Sequence, residues 1–256
     1  MASGSNVRII LDNRHDERVT GLQAKGDSLA SEGKFLGGRR SVYESAGRLQ
    51  LEVLIHEGLY PSSSVCDVGC GSLRGAYWII HFVDPGHYFG IEPHEDRVAI
   101  GLSDVLEPGF AETAQPTFAY NDDFNLGVFD RKFDFVIARS VWTHASKRQI
   151  ETMLDSFVEV GTAASLLLVS YHRASRLRRP VHEARPRATG PWYRLSRRLL
   201  GRPTRRGDYQ GEVWQAGNVS HSWQWIRDAC ARRHLRVREL DYGVVSNQVW
   251  LRIEHP

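Results

Sequence analysis

The chain has little sulfur and no long apolar run. Three cysteines in 256 residues are too few for a disulfide scaffold. Cys66 and Cys70 flank a glycine-rich turn without a CxxC pair, so no zinc site is expected. No apolar stretch approaches the length of a membrane span. Met1–Asn6 is small and polar and does not read as a signal peptide, so a reducing cytoplasm is the expectation. No internal repeat is present. Acidic and basic residues nearly balance, at a net charge of +3, but the basic ones are unevenly placed.

What is present is an alternation of strand and helix patterns. Residues up to about Gly37 are polar and weakly patterned, and we expect a loose arm or short lid elements there. From Arg39 the apolar positions Val42, Ala46, Leu49, Leu51, Val53, Leu54 and Ile55 recur at helical spacing, to a C-cap at Gly58. Val65–Val68 reads as a short buried strand, Ala76–Phe82 as a helix, and Tyr88–Glu92 as a second strand, with Pro93 opening a further helix. Strands follow at Thr117–Tyr120, Phe133–Ala138 and Leu166–Tyr171. Ser146 and Gln149 have the spacing of a capping box at the start of another helix. Near the end, Trp223–Arg233 reads as a helix, and Leu235–Leu240 and Gln248–Ile253 as strands. The two strands are joined through Asp241–Asn247 without a helix, so one of them must run antiparallel. Such alternation predicts an α/β fold with a mostly parallel sheet covered on both faces. We divide the chain into an N-terminal arm and helix, residues 1–60, and a main domain, residues 61–256, with a basic insert at about 173–210.

In open α/β sheets ligands bind at the carboxyl ends of the strands. Asp67-Val68-Gly69-Cys70-Gly71-Ser72-Leu73-Arg74-Gly75 stands at such an end. Gly69 and Gly71 permit a tight turn and a close backbone approach by a ligand. The spacing is GxGxxxG, whereas a pyrophosphate-binding turn reads GxGxxG. Asp67, just ahead of the loop, repels a diphosphate and suits a ligand carrying ammonium and sulfonium charges. Glu92 lies about 25 residues beyond Asp67, where a carboxylate can take the hydroxyls of a ribose. The bland reading is that Asp67 is a turn residue and Glu92 a helix-start residue favoured by the dipole.

Asp67-Val68-Gly69-Cys70-Gly71, with Glu92 as acidic partner, resembles the first motif of the class I S-adenosylmethionine-dependent methyltransferases. The resemblance runs from about Ser63 to Ile253, the basic insert excepted. It implies a Rossmann-like, doubly wound, mostly parallel seven-stranded sheet with an antiparallel C-terminal strand, and S-adenosyl-L-methionine as cofactor. It also implies roles by position. The backbone at Gly69 and Gly71 lines the methionine and ribose portions, Asp67 holds the ammonium, and Glu92 binds the ribose. Asp123 and Phe124 border the adenine, and Ala138 and Arg139 lie near the sulfonium. Arg74 departs from the pattern, and two readings stand: it meets the methionine carboxylate, or it points to solvent.

Methyl transfer from a sulfonium is a direct displacement, so holding the acceptor in line supplies much of the rate. An oxygen acceptor also needs a base. His144 is the first candidate, just past the fourth strand, with Tyr171 and His172 behind it; equally, His144 packs or caps at a helix entry. The fourth strand is followed by Ala138-Arg139-Ser140-Val141, with no NPPY-like or DPPY-like tetrapeptide, which argues against amino-group methylation of DNA bases. There is no Pro-Cys nucleophile for cytosine ring methylation. No aspartate follows the fourth strand where catechol-type enzymes place a metal ligand, so no metal is expected. These absences leave small-molecule hydroxyls, sugars, carboxylates or amines, and we expect metal-independent O-methylation of a small or amphiphilic acceptor. The rival enzyme class is a nicotinamide-dependent oxidoreductase. The rival of another kind is a non-catalytic protein of the same fold that binds nucleic acid or membrane.

From Arg173 to Arg206 there are about a dozen arginines and one acid, Glu183. Trp192, Leu195, Leu199 and Leu200, with Arg194, Arg197 and Arg198, pattern as a short basic amphipathic helix. Three readings compete: a lid for an anionic acceptor, where arginine forks suit phosphate or carboxylate; a contact with an anionic membrane or nucleic acid; and a solvated loop. Tyr209, Trp214 and His221 either wall an acceptor pocket or pack beneath the insert. By position alone, Phe35–Arg40 closes over the cofactor.

Overall fold

The computed structural model describes residues 21–174, the backbone of 205–206, and residues 219–242 and 248–256. Most of the basic insert, with Tyr209 and Trp214, lies outside the described residues. The chain divides into two compact units, Met1–Ser62 with Cys70–Tyr120, and Ser63–Gly69 with Asn121–Pro256. Seven strands form one sheet in the order β3-β2-β1-β4-β5-β9-β8. They are β1 (Val65–Val68), β2 (Tyr88–Ile91), β3 (Thr117–Ala119), β4 (Phe135–Ala138), β5 (Leu166–Tyr171), β8 (Arg236–Leu240) and β9 (Val249–Glu254). β6 (Arg205–Arg206) and β7 (Val219–Ser220) make a separate parallel pair.

The first unit holds helix α1 over 21–31, α2 (Tyr43–His56), α3 (Ala76–Ile80), α4 (Glu95–Ile100) and α5 (Phe110–Ala114) with β2 and β3. Of the stretch expected to be a loose arm or short lid elements, residues 21–31 are helical, and residues 1–20 lie outside the described residues. The buried face of α1 is Leu22, Gly26 and Leu29, at helical spacing. Gly26 lets it cross α2 closely, since a Cβ there would lie 2.5 Å from the Tyr43 ring. With only two leucines on that face, the apolar pattern is faint. A 3₁₀ turn, Arg40–Val42, precedes α2. Gly58 follows it at φ +99°, the left-handed conformation that glycine takes without strain. The helix expected at Pro93 starts two residues later, because His94 is its N-cap, in extended conformation. It ends in a π-turn, Gly101–Val105.

In the second unit β1, β4 and β5 pair in parallel, Asp67 beside Ile137 and Ile137 beside Leu168. These strands are wholly buried, so β4 and β5 are almost entirely apolar, while β1 carries the buried Asp67. β9 lies between β5 and β8 and runs against both, so β9 is the reversed strand. The helices are α6 (Lys147–Val160) and α7 (Trp223–Ala231). α6 buries Ile150, Met153, Leu154, Phe157 and Val160 on one stripe. Each such side chain is worth about 1.5–3 kcal/mol of burial. The capping box is formed: Gln149 N–H donates to Ser146 Oγ at 3.3 Å, and Ser146 N–H to Gln149 Oε1 at 2.9 Å. All three cysteines are buried free thiols. Among the described residues no helix is long and apolar enough to cross a membrane, and no group of potential metal ligands is found.

Candidate functional site

In the first unit the glycine-rich loop and the end of β2 meet. Glu92 is 1% exposed, and its Oε2 accepts the Gly71 N–H at 3.1 Å. Its Oε1 accepts the His94 N–H at 3.2 Å and an Arg97 guanidinium N–H at 3.1 Å. A carboxylate offers about four acceptor positions, so roughly one remains for a ligand hydroxyl. Gly71 has φ +56°, and a Cβ there would lie 3.4 Å from the Phe35 ring. Phe35 also lies 3.9 Å from the Arg97 guanidinium, and its carbonyl accepts the Ser72 hydroxyl at 3.0 Å. Phe35 thus rests on the loop. Arg97, the ion-pair partner of Glu92, was missed; only its place in the first turns after Glu92 signalled it.

Arg74 is 8% exposed, which removes the solvent-pointing reading. Its guanidinium carbon lies 5.8 Å from the Tyr43 ring centre. Burial pulls its pKa below the usual arginine value, Tyr43 opposing slightly.

In the second unit Asp67 is 2% exposed near the end of β1. Gly69 follows at φ +77°, and a Cβ there would lie 2.8 Å from Val141 Cγ2, so only glycine fits. Ala138, the last residue of β4, is fully buried, and Arg139 is half-buried. Asp123 is exposed and accepts the Asn125 N–H at 2.9 Å, the habit of an Asx turn. Phe124 beside it is buried with φ +58°.

The residue after Arg139 carries strain that sequence reading missed. Ser140 has φ +62°, a region costly for a residue with a Cβ. Its N–H donates to Ser170 Oγ at 2.8 Å, and its carbonyl accepts the Thr143 hydroxyl at 2.7 Å. Gln248 bonds both serine hydroxyls, at 3.1 Å to Ser140 and 2.6 Å to Ser170. The ends of β4 and β5 are thereby tied to the start of β9. No local pattern announces such a network, because its members are far apart in the chain.

His144 is half-buried in the turn after β4, its N–H donating to the Val141 carbonyl at 2.9 Å. Tyr171 is fully buried; its hydroxyl donates to Glu239 at 2.5 Å, and burial raises its pKa. A phenol so held is no base, which corrects that expectation. His221 is likewise fully buried, its Nε2 3.0 Å from the Trp142 carbonyl and its ring 5.5 Å from that of Trp225. It therefore packs inside the second unit and does not wall an open pocket.

No protein-family model matches the chain, and no curated protein matches it. Solved structures do. One is magnesium protoporphyrin IX methyltransferase from Synechocystis PCC 6803 with bound SAM, at 17% identity over 85% of this chain and 81% of that one, TM-score 0.55. Another is the DhpI–SAH complex, at 12% identity over 93% and 97%, TM-score 0.56. A third is the glycopeptide N-methyltransferase MtfA complexed with S-adenosyl-L-methionine, at 11% identity over 82% and 94%, TM-score 0.55. With the strand order and the reversed β9, these likenesses give the chain the Rossmann-like fold of the class I S-adenosylmethionine-dependent methyltransferases.

Proposed function

We propose that the protein is an S-adenosylmethionine-dependent methyltransferase, acting without a metal on an oxygen of a small or amphiphilic acceptor, sugar-like or anionic. One observation carries the choice of cofactor. The Gly71 N–H, which a diphosphate-binding loop would keep for phosphate, is given to the buried carboxylate of Glu92. A carboxylate at the end of β2 is placed for ribose hydroxyls, and the buried Asp67 ahead of the loop opposes a diphosphate and favours a cationic ligand. The glycines fit a close-lying ligand, since both have positive φ and tight surroundings.

The cofactor supplies a methyl group activated by a sulfonium. In this reading Asp67 holds the ammonium, the Gly69 and Gly71 backbone lines the chain, Arg74 takes part in holding it, and Glu92 accepts from the ribose. Asp123 and Phe124 would border the adenine, and Ala138 and Arg139 would lie near the sulfonium. His144, the half-buried imidazole nearest the end of β4 in sequence, accepts the acceptor's proton. The neighbouring structures named for porphyrin and glycopeptide methylation favour a small-molecule or peptide-like acceptor class.

The test is calorimetric titration of S-adenosylmethionine and, separately, NAD. We expect binding of the first alone, weakened at least ten-fold in both Asp67→Ala and Glu92→Ala by loss of a charged hydrogen bond. Binding of NAD with no response to S-adenosylmethionine would overturn the reading.

A further inference from the structure

His81, just past the end of α3, has both ring nitrogens set against oxygens. Nδ1 lies 2.6 Å from the Tyr77 carbonyl, one turn back on α3. Nε2 lies 3.0 Å from Glu107 Oε2, ahead of α5. A carbonyl can only accept, and so can an ionised carboxylate. A neutral imidazole has one N–H, so it serves one of these oxygens and turns a lone pair on the other. The imidazolium serves both. Glu107 does not supply the missing proton. Burial pushes its pKa up, but the Tyr77 hydroxyl, its own backbone N–H and the charges of His81 and Lys25 together hold it below the usual glutamate value. The ring face agrees: Phe110 stacks on the imidazole with centres 4.0 Å apart and planes within 14°, a place that suits a cation.

α1 brings a second cation to the same carboxylate. Lys25 Nζ is 3.7 Å from Glu107 Oε1 and 5.6 Å from the centre of the Tyr77 ring, and it donates to the Val105 carbonyl at 2.6 Å. The Tyr77 hydroxyl donates to Glu107 Oε1 at 2.8 Å. Glu107 thus gathers α1, α3 and the segment before α5 into one clasp, and His81 is the member whose ordinary titration falls near neutrality. The clasp bears on the glycine-rich loop. Tyr77 N–H donates to the carbonyl of Leu73, in that loop, at 2.8 Å. Leu73 is fully buried against Gly101, where a Cβ would lie 2.3 Å from Leu73 Cγ, and Gly101 opens the π-turn that ends at Val105. We propose that His81 is an imidazolium at neutral pH and works as a pH-operated clamp behind the glycine-rich loop, its proton strengthening cofactor binding without touching the cofactor. The link to the cofactor rests on the methyltransferase reading. The unfolded chain loses this proton at about pH 6.5. The clamp is therefore complete below that pH and lets go as the solution turns alkaline, the opposite sense to a histidine buried neutral. By linkage, whatever factor the proton adds to cofactor affinity, the cofactor adds to proton affinity at His81.

An NMR titration of the imidazole nitrogens tests the clamp, with His81→Gln assigning the resonances. The His81 midpoint should lie above the value of about 6.5 of an exposed histidine, with both nitrogens protonated below it. Glu107→Gln should lower that midpoint by about half a unit to one unit, the carboxylate being partly exposed. In thermal unfolding His81→Gln should fall furthest below wild type at about pH 6 and approach it at about pH 9. Between those two pH values wild type should lose about five-fold more affinity for S-adenosylmethionine than His81→Gln loses, and the ligand should raise the His81 midpoint by the same factor, about 0.7 of a unit. Glu107→Gln repeats every comparison if His81→Gln does not fold. A midpoint at or below that of an exposed histidine, or one that ignores Glu107→Gln, overturns the clamp. Equal pH dependence of affinity in wild type and His81→Gln, with a midpoint unmoved by ligand, overturns its link to the site. If wild type binds no S-adenosylmethionine at either pH, the cofactor reading fails, and the imidazole titration with the unfolding series still decides the clamp.

Discussion

Buried polar residues in this chain divide by whether their partners are internal. Glu92 finds three partners in its own unit, holding Gly71, His94 and Arg97 at once, with roughly one acceptor position left over. His221 illustrates the cost of burial on titration. Its imidazole is fully buried, and burial brings its pKa from 6.5 down to about 4, with hydrogen bonds to the backbone opposing. The folded state therefore keeps it neutral where the unfolded chain takes up a proton. Stability from this group is complete above pH 6.5 and declines as pH falls toward 4. At about 1.4 kcal/mol per pH unit, roughly 2 kcal/mol should be gone by pH 5. Urea unfolding at pH 7 and pH 5 measures this. His221→Gln should show a flatter dependence, and equal slopes for the two proteins would exclude His221 as the cause. At this scale the sequence named Asp67, Gly69, Gly71 and Glu92, because a strand end fixes their place. It left Arg97, Ser140 and Gln248 unseen, because their partners are set by packing.

Elements were most legible where one short rule decides them. The capping box at α6 is an example, a Ser and a Gln three apart before an apolar stripe. Ser146→Ala should cost about 1 kcal/mol and lower the melting temperature by about 2–4 °C, without altering cofactor affinity. A calorimetric scan checks the first point and a titration the second. β4 and β5 were legible because burial on both faces leaves them mostly Phe, Val, Ile, Leu and Ala. α1 was not, since its face combines two leucines with a glycine whose value lies in what it lets approach. Phe35 touches Gly71, Ser72 and Arg97, contacts that no local pattern announces.

At the scale of the molecule, strand–helix alternation gave the class of fold, and the helix-free join near the end required one reversed strand. Which strand it was, and that it is inserted inside the sheet, follows from pairing that spans many residues and leaves no local mark. The acceptor is hidden for a related reason. Fold alone does not assign it, and the arginine-rich stretch from Arg173 to Arg206 keeps its three readings of lid, anionic-surface contact and solvated loop. The insertion of β9 has a consequence for biosynthesis. β5 and β8 are made first and are neighbours only through β9, so a ribosome that has not yet reached Val249 holds a chain with β5 open along one side. A nascent chain arrested before that point should be captured by chaperones or precipitate, and one released past Glu254 should not. Arrested-chain pelleting assays read the difference directly. Vectorial synthesis thus leaves this sheet unsealed until its late inner strand arrives.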